Sequence, residues 1–549
     1  MNGLLLAIDV GTTATKCLLL DADRGVIAEY ERPAELSGAR PGWAEEDPDA
    51  WWASARELVA EAVSGAGGRP VAAVGVTGMV PALVCLDADG RPLRAAILQN
   101  DARADREIGE LREALAGADV LHRTGSPVTQ QSVGPKLLWL RRHEPDVLAR
   151  TASVCGSYDF IASRLTGMAA AVGRGATAAT SPAAAGVVEA NWALESGLYD
   201  LRADAWAADI CEACGVDPGW LGRVVPSGSV VGPAAAAAVP GLAGVPVVTA
   251  GADHVAGAFA AGLVDDGDVV VELGGAGNIL AATTEPVVDE RLYLDHHLVP
   301  GRWVPNGCMA TTGSLVRWFQ REIGGGVPLE VLDAEAGDAG PGAGGLVLTP
   351  YFLGEKTPLN DPLARGTVTG LHLGHRRGHL FRAVLEGVAF AFRHHVDVLR
   401  EVGVRADRVN LTGGGASSAL WRQIIADVLA LPVVRRDHRS GAALGAAYAA
   451  GMGAGVLRSW SDVTRLAGAG ETVLPDQRTA GRYGELYAVY RTLYPALLSQ
   501  QHTLARFPAS GEQRLFLYGP AHRAQMLAKA QGRSVLALRK VGAEPHLAA

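Results

Sequence analysis

Short apolar runs alternate with longer amphipathic stretches along the chain, and this alternation predicts α/β layering. The clearest run spans residues 4–8, and a second one at residues 16–21 follows after a short turn, as in a β-hairpin. The other predicted strands cover residues 71–76, 82–86, 245–250, 269–273 and 409–412. Helices are predicted to begin at Asp47-Pro48, at His379 (residues 379–401, including Glu386) and near Ser417 or Ser418.

The turn of the first hairpin carries an acid, a glycine and two hydroxyls, in the order Asp9, Gly11, Thr12 and Thr13, with Lys16 opening the return strand. Backbone N–H groups of a glycine turn and nearby hydroxyls can hold phosphate, and a carboxylate can hold Mg²⁺ through water. Glycine and threonine also form ordinary tight turns. The residues alone therefore allow either half of a nucleotide site or a plain hairpin.

A second element of the same kind lies near the middle of the chain. Glu272 ends a strand, Gly274 and Gly275 form the turn, and an apolar return strand follows. Glu272 and Gly274 repeat the order of Asp9 and Gly11. One such hairpin in each half suggests two duplicated actin-like domains that close on a nucleotide in the cleft between them.

A third glycine-rich turn consists of Gly413, Gly414, Gly415 and Ala416, between a predicted strand and a predicted helix. A backbone without side chains can lie flat against a purine and offer N–H groups to phosphate oxygens. The other interpretation is a close strand-to-helix turn. The position of this turn as third in a set with the two hairpins favours nucleotide binding.

Asp253 follows a predicted strand and precedes a helix of small residues. A carboxylate in this place can accept the proton of an attacking hydroxyl during phosphoryl transfer. It can equally serve as the N-cap of the helix. The residues alone leave both roles open.

Length and charge narrow the class of protein. The 549 residues allow two or three domains, and a net charge of −9 without a long basic run argues against nucleic acid as a partner. No basic residue precedes the first apolar run, so we expect no secretory signal and a cytoplasmic protein. Residues 224–252 carry no charge, but their prolines and glycines favour strands and turns over a membrane span, and residues 224–245 form the expected hinge.

Two groups of potential metal ligands have simpler explanations. Cys211 and Cys214 form a single CxxC without a second pair, which favours two reduced thiols on a helix. His372, His375 and His379 are separated by glycines and basic residues, which favours a solvated turn before a helix. We assign no metal to either group.

Eight stretches in order make the chain similar to the FGGY family of carbohydrate kinases, in layout nearest to xylulokinases. They are residues 7–13, 42–48, 97–103, 135–139, 251–253, 350–358, 382–387 and 413–416. The resemblance covers roughly residues 4–495. It implies an N-terminal domain at 1–244 with the sugar side and the first phosphate loop, and a C-terminal domain at 245–495. Residues 496–549 would be an extension of unknown role.

The resemblance also implies roles for single residues. Asp253 matches the catalytic base and also a substrate contact, and Asp9 matches the acid that holds Mg²⁺ through water. ATP would be bound by Gly11, Thr12, Thr13 and Lys16 of the first hairpin, by Gly274 and Gly275, and by residues 413–416. Met79, Asn100, Asp101 and Arg103 would line the sugar side, where polar groups suit a polyhydroxylated substrate. ATP and Mg²⁺ are the implied cofactors, a small sugar or polyol is the implied partner, and a homodimer is compatible with the family.

Three positions depart from the family pattern. The second phosphate loop usually reads Gly-Thr-Ser, whereas Gly274, Gly275 and Ala276 carry no hydroxyl. Met79 is followed by valine and proline, so the histidine that would meet xylulose is absent. The segment after Gly167 lacks its usual aspartate. Xylulose as the substrate therefore does not follow from the resemblance.

Three functions remain open. The first is an ATP-dependent kinase that phosphorylates a primary hydroxyl of a ketose, such as a pentulose, or of a polyol. The second is a sugar- and nucleotide-binding protein of the same fold with little or no transfer activity, which the altered second loop motivates. The third is an actin-like ATPase or chaperone, which leaves Asn100, Asp101 and Arg103 unexplained.

Overall fold

The structure is a computed structural model, and it describes residues 3–38, 40, 42–167, 186–436, 441–466 and 470–507. Strands and helices are numbered in chain order. A six-stranded sheet has the spatial order β13 (Val230–Pro233), β14 (Pro246–Ala252), β5 (Val71–Gly78), β1 (Leu4–Val10), β2 (Ala14–Asp21) and β3 (Gly25–Pro33). A seven-stranded sheet has the order β17 (Tyr293–His296), β18 (Trp303–Met309), β16 (Gly277–Ala281), β15 (Asp268–Leu273), β21 (Arg408–Thr412), β22 (Val433–Arg435) and β23 (Thr472–Val473).

Short strands pair outside the two main sheets. The pairs are β4 (Glu45–Glu46) with β7 (Ala96–Ile97), β6 (Val84–Leu86) with β8 (Ser153–Cys155), β9 (Val187–Glu189) with β12 (Arg223–Val225), β10 (Tyr199–Asp200) with β11 (Ala205–Trp206), and β19 (Val347–Thr349) with β20 (Thr367–Thr369).

Helices cover the sheets and the connections between them. They are α1 (Pro48–Gly65), α2 (Asp105–Ala114), α3 (Val120–Thr124), α4 (Val133–His143), α5 (Pro145–Arg150), α6 (Ser157–Thr166), α7 (Ala190–Glu195), α8 (Ala208–Cys214), α9 (Asp253–Ala260), α10 (Gly313–Glu322), α11 (Leu329–Ala339), α12 (Arg377–Glu401), α13 (Ala419–Leu429), α14 (Gly441–Gly453), α15 (Val463–Leu466) and α16 (Gln477–Ala505). Four single 3₁₀ turns lie at Pro218–Trp220, Ala343–Gly345, Gly414–Ser417 and Trp460–Asp462.

The two main sheets are duplicates in their pairing. The antiparallel hairpin β1–β2 continues into β3, and β1 is parallel to β5, which is parallel to β14. The hairpin β15–β16 likewise continues into β18, and β15 is parallel to β21, which is parallel to β22. Each sheet ends in an antiparallel strand, β13 or β23. The pairing confirms the predicted α/β fold of two duplicated domains.

Apolar residues of the strands form two cores, one against each sheet. The strand β1 is buried along its whole length, as its uninterrupted apolar run predicts. The second core gathers around α12 and α13 and includes Tyr483, Tyr487 and Tyr490 of α16. A continuous core on each side fixes the ends of β1 and β15, where the two predicted phosphate loops begin.

Two helices that follow corresponding strands pack against each other where the halves meet. The helix α9 follows β14, and α14 follows β22. Gly445 of α14 approaches Ala256 of α9 so closely that a Cβ would stand 2.1 Å from the Ala256 carbonyl oxygen. The helix α14 also crosses β5, where a Cβ on Gly75 would meet the backbone of Ala446. Glycines therefore allow the late helix α14 to return to the first sheet.

Several predicted elements are present with slightly shifted ends. The helix α1 begins at Pro48 with Asp47 as its N-cap, and α13 begins after the N-cap Ser418. The helix α12 begins at Arg377, two residues before the predicted start. Cys211 and Cys214 are buried free thiols on α8, as predicted. No helix within the described ranges is long and apolar enough to cross a membrane.

The predicted domain limits differ from the pairing at two points. The strand β14, which was assigned to the second domain, pairs with β5 of the first sheet, so the first sheet extends to residue 252. The limit at residue 495 lies inside α16, which continues to Ala505 because Gln501 is buried and accepts a hydrogen bond from the Arg365 backbone N–H. The departure after Gly167 and residues 508–549 lie outside the described residues.

Candidate active site

A cleft of about 460 Å³ opens between the two sheets and collects predicted residues from both halves. The first sheet contributes the loop after β1, and the second contributes the ends of β15, β16 and β21. The predicted residues that line this cleft are Asp9, Gly11, Thr12, Thr13, Lys16, Asp253 and Gly413. Folding therefore brings Asp9, Asp253 and part of the third glycine turn to the same cleft.

An irregularity in β14 sets the position of Asp253. The pairing of β14 with β5 shifts register between Thr249 and Ala252, and Gly251 has a φ of +72°, which favours glycine. A Cβ on Gly251 would also stand 2.7 Å from Ser227 Oγ. The strand therefore ends in a bulge directly before Asp253, the first residue of α9.

Asp253 has one oxygen engaged by its own helix. Its Oδ1 accepts a hydrogen bond of 2.7 Å from the backbone N–H of His254, while no described residue hydrogen-bonds Oδ2. The side chain remains about one third exposed to the cleft. The N-cap alternative that the sequence left open is wrong, because Ala252 is the N-cap and Asp253 is the first residue of the helix.

Asp9 lies across the cleft at the end of β1 and is 8% exposed. Its Oδ1 is buried and has no hydrogen-bond partner among the described residues. Burial, and next the negative charge of Asp253, raise the pKa of Asp9 to about 7, although Lys16 opposes them. A buried, unpaired carboxylate oxygen beside a second acid fits a hard cation such as Mg²⁺.

The second hairpin is arranged differently. Its acid, Glu272, accepts a hydrogen bond of 2.9 Å from Asn278 Nδ2 across the hairpin. The turn at residues 274–276 packs against the start of α10: Thr312 Oγ1 lies 2.9 Å from the Gly274 carbonyl, and Ser314 Oγ donates to the Gly275 carbonyl at 2.7 Å. The nearby hydroxyls therefore hold loop carbonyls, and Gly274 and Gly275 are not among the cleft-lining residues.

Arg317 is a candidate that the sequence analysis missed. A Cβ placed on Gly275 would stand 3.3 Å from Arg317 Nη2, so the guanidinium lies next to the second loop. The side chain is exposed, and it makes no hydrogen bond or ion pair with any described residue. Its position on α10, four residues after Gly313, became visible only when α10 packed against the loop.

The third glycine turn depends on a close approach of two backbones. Gly413 has a φ of +86°, and a Cβ there would stand 2.7 Å from the Leu273 carbonyl oxygen. Gly413 and Gly414 are exposed, whereas Ala416 is buried. Gly414, Gly415 and Ala416 lie in the 3₁₀ turn beyond the cleft-lining residues. The turn offers bare backbone beside the end of β15.

The predicted sugar-side residues do not line this cleft. Asp101 and Arg103 are 0% exposed in their side chains and hydrogen-bond each other, and Asp101 also accepts a hydrogen bond from the Ala44 N–H. Arg103 stacks over the Trp43 ring at 3.8 Å. Asp101 and Arg103 thus hold each other in place, while Arg103 Nη1 is buried without a hydrogen-bond partner among the described residues. The predicted sugar contact of the two residues stays a prediction.

Met79 and Asn100 also lie apart from the cleft-lining set. Met79 is buried in the first core, and its carbonyl accepts a hydrogen bond from Ser157. Asn100 is exposed, and its carbonyl accepts a hydrogen bond from Gln130. The residue types suited a sugar site, but the packing around them could not be read from spacing.

Comparisons with known proteins agree with this geometry. Residues 4–260 match the model of the N-terminal domain of the FGGY family of carbohydrate kinases, and residues 271–454 match the model of its C-terminal domain. The chain is 31% identical to a xylulose kinase of Escherichia coli (strain K12), over 90% of this chain and 99% of that protein. It is 32% identical to a glycerol kinase of Nocardia farcinica (strain IFM 10152), over 84% and 92%.

Solved structures give the same result. The crystal structure of xylulose kinase from Rhodospirillum rubrum is 43% identical, covers 91% of this chain and 100% of its own, and superposes with a TM-score of 0.85. The chain therefore belongs to the FGGY family of carbohydrate kinases, and it is a carbohydrate kinase.

Proposed function

We propose that the protein transfers the γ-phosphoryl group of ATP to a primary hydroxyl of a small sugar or polyol, with a ketose such as a pentulose as the first candidate. The observation that carries this proposal is the meeting of Asp253 and Asp9 in one cleft, next to the exposed backbone of Gly413. The names of the relatives support a sugar or polyol substrate, and they include both xylulose and glycerol kinases.

In this proposal Asp253 is the general base. Its Oδ2 takes the proton of the attacking hydroxyl while the bond between that oxygen and the γ-phosphorus forms and the bond to the β-phosphate oxygen breaks. The carboxylate need not be strongly basic, because the hydroxyl becomes acidic as the new bond forms.

Asp9 would hold Mg²⁺ through water, and Mg²⁺ would neutralise charge on the transferred phosphoryl group. The buried, unpaired Oδ1 of Asp9 supports this assignment. Thr12, Thr13 and Lys16 would bind phosphate oxygens from the first loop. Residues 413–416 would bind the adenosine, with Gly413 facing the cleft. The cytoplasmic location and a homodimer remain predictions.

The direct test is ADP release from Mg-ATP across pentuloses, hexuloses, polyols and aldonates, with Asp253→Asn as control. We expect one sugar class to give turnover that Asp253→Asn lowers by roughly 10²–10⁴-fold, with ATP binding unchanged. Full turnover in the variant would remove the proposed role of Asp253 as the base.

A second candidate is a sugar- and nucleotide-binding protein with weak transfer activity. The second loop favours this candidate, because Gly275 and Ala276 carry no hydroxyl. The nearby hydroxyl of Ser314 already donates its hydrogen bond to the Gly275 carbonyl. ATP binding without turnover on any sugar of the panel would select this candidate.

A further inference from the structure

A group of charged side chains lies directly behind Asp253. His254, the second residue of α9, has its Nε2 2.8 Å from Asp295 Oδ2 and its Nδ1 3.6 Å from Asp253 Oδ1. Asp295 belongs to β17 of the second sheet, whereas Asp253 follows β14 of the first. The imidazole therefore lies between carboxylates that come from the two halves of the protein.

Glu195, the last residue of α7, completes the group. One of its oxygens lies within 4.8 Å of the facing atoms of His254 and Asp295. Asp295 is 1% exposed, accepts a hydrogen bond from Asn306 Nδ2 at 2.8 Å, and keeps its Oδ1 buried without a partner among the described residues. Burial, and next the charge of Asp295, raise the pKa of Glu195 well above its usual range.

The surroundings of His254 decide its charge. Burial acts to lower the pKa of His254, but the charge of Asp295, the nearby Asp253 carboxylate, the hydrogen bond to Asp295 and the charge of Glu195 together raise it well above its usual value. These three carboxyl groups come from α9 itself, β17 and α7, and Asp9 faces Asp253 from the other wall of the cleft. The imidazole is thus the positive member of an acidic group.

A proton between His254 and Asp295 explains the geometry better than a metal ion does. Two ligand atoms of a tetrahedral ion with bonds of about 2.0 Å would stand roughly 3.3 Å apart. The distance of 2.8 Å between Nε2 and Oδ2 is that of a charge-assisted hydrogen bond.

We propose that His254 is a positioning residue for Asp253: its imidazolium, anchored by Asp295 and Glu195, lies behind Asp253 Oδ1 and holds the carboxylate so that Oδ2 is left for the substrate hydroxyl. This inference rests on the proposed function of Asp253 as the base. The backbone N–H and the imidazole of His254 both approach Oδ1, which leaves Oδ2 to take the proton of the substrate hydroxyl.

The charge of His254 also offsets a repulsion inside the cleft. Asp9 and Asp253 repel each other when both are ionised. A cation beside Asp253 offsets this repulsion. A residue already protonated cannot itself act as the base, so the proton from the substrate stays on Asp253 until product release returns it to water.

The kinetic test compares the pH dependence of kcat in His254→Gln and Asp295→Asn with that of the unmodified protein, using the sugar found in the panel. A charge within 4–6 Å shifts a pKa by about 1–3 units. We therefore expect the acidic limb of kcat in His254→Gln to move up by about one pH unit, so that the loss approaches tenfold on the acidic side of the limb and disappears on its alkaline side. The KM for the sugar should change less than about twofold.

The Asp295→Asn variant should shift the same limb by a smaller amount. The matched control is His122→Gln, which removes a surface histidine that pairs with Asp119 at 2.6 Å far along the chain; its profile should not move. An equal loss at every pH, or a change confined to KM, would overturn the positioning role in favour of a structural or substrate-contact role.

A second measurement separates this inference from the proposed function. In ¹⁵N-histidine NMR of the protein without substrate, the His254 signals, identified by their loss in His254→Gln, should still show an imidazolium at a pH where an ordinary histidine is neutral. Asp295→Asn should lower the titration midpoint. A titration midpoint near the ordinary histidine value, or stoichiometric zinc bound through His254, would overturn the inference whether or not a sugar is phosphorylated. If the imidazolium signal is present but no sugar is phosphorylated, only the proposed function is overturned.

Discussion

The two duplicated hairpins have the same strand pairing, but their acidic residues differ in whether a hydrogen-bond partner lies within the protein. Asp9 and Lys16 face each other across the first hairpin, and Glu272 and Asn278 occupy the matching register in the second. Asp9 keeps a buried oxygen without a partner, whereas Glu272 is bonded to Asn278. The first hairpin thus carries an unsatisfied acid, and the second is satisfied within the protein.

The loops at the tips of the hairpins differ in the same way. Thr12 and Thr13 of the first loop belong to the cleft wall. The hydroxyls near the second loop come from Thr312 and Ser314 of α10 and contact loop carbonyls. Buried polar groups without partners are costly and are retained where a ligand completes them. The comparison therefore favours ligand binding at the first hairpin and a supporting role for the second.

The largest expected effect comes from removing the two acids in parallel. Asp9→Asn should lower kcat by roughly 10³-fold, because the charge that holds Mg²⁺ contributes several kcal/mol to the transition state. Glu272→Gln should cost less than about tenfold, because the amide can still pair with Asn278. Steady-state ADP release at saturating sugar and varied Mg²⁺ measures both.

Unchanged Mg²⁺ dependence in Asp9→Asn would remove the proposed metal role. Equal losses in the two variants would remove the contrast between the hairpins. A thermal melt of each protein shows whether a loss of activity reflects unfolding.

The same Asp9→Asn change should stabilise the protein when nucleotide and Mg²⁺ are absent. The pKa of Asp9 rises from 3.8 to about 7 on folding, so between these values the folded state binds more protons than the unfolded state. This contribution to the free energy of unfolding falls as the pH rises from about 4 to 7 and stays low above 7. Asp9→Asn should therefore gain about 1–3 kcal/mol at pH 8 and little at pH 4.

Urea unfolding in EDTA at pH 4, 6 and 8 measures this difference. Glu272→Gln, which changes the matching acid of the second hairpin, is the control and should not gain stability at pH 8. A stability gain of the same size at pH 4 would mean that the cause is packing and not the charge of Asp9.

The duplicated fold and the residues of the cleft were predictable from short-range patterns. A strand that ends in an acid and a glycine turn is local, so Asp9, Gly11, Asp253 and Gly413 could be assigned to their places before the structure was known. The pairing then follows from the buried strands, because uninterrupted apolar runs require a sheet covered on both faces.

The remaining part of the site depends on contacts between distant segments. The ion pair of Arg103 with Asp101 can be guessed from their spacing, but its stacking over Trp43 cannot. His254 meets Asp295 across more than forty positions, and Arg317 reaches Gly275 through the packing of α10. Residue types at fixed spacing do not contain such contacts, since sheet order and helix packing create them.

A smaller effect is expected from Arg317, which could supply to the second loop the charge that its residues lack. We expect Arg317→Gln to lower kcat/KM for ATP about tenfold, the scale of one lost charge-assisted hydrogen bond. The matched control is Arg321→Gln, one turn further along α10 and paired with Glu322; it should leave the ATP kinetics unchanged. An equal response of both variants would point to a general charge effect of α10.

The smallest expected change restores a hydroxyl to the second loop. Ala276→Ser adds a donor without a new Cβ, and we expect a gain in kcat of about two- to fivefold if that donor reaches a phosphate oxygen.

Gly275→Thr is the informative partner, because its Cβ would stand 3.3 Å from Arg317 Nη2 and displace the guanidinium. If Arg317 already contacts the phosphate in place of the missing hydroxyl, Gly275→Thr should lower kcat when Arg317 is present. The same change should not lower kcat further in the Arg317→Gln background. A gain from Gly275→Thr in both backgrounds would instead show that the loop hydroxyl and Arg317 act independently, and the second hairpin would then resemble the first more closely than its hydrogen bonds suggest.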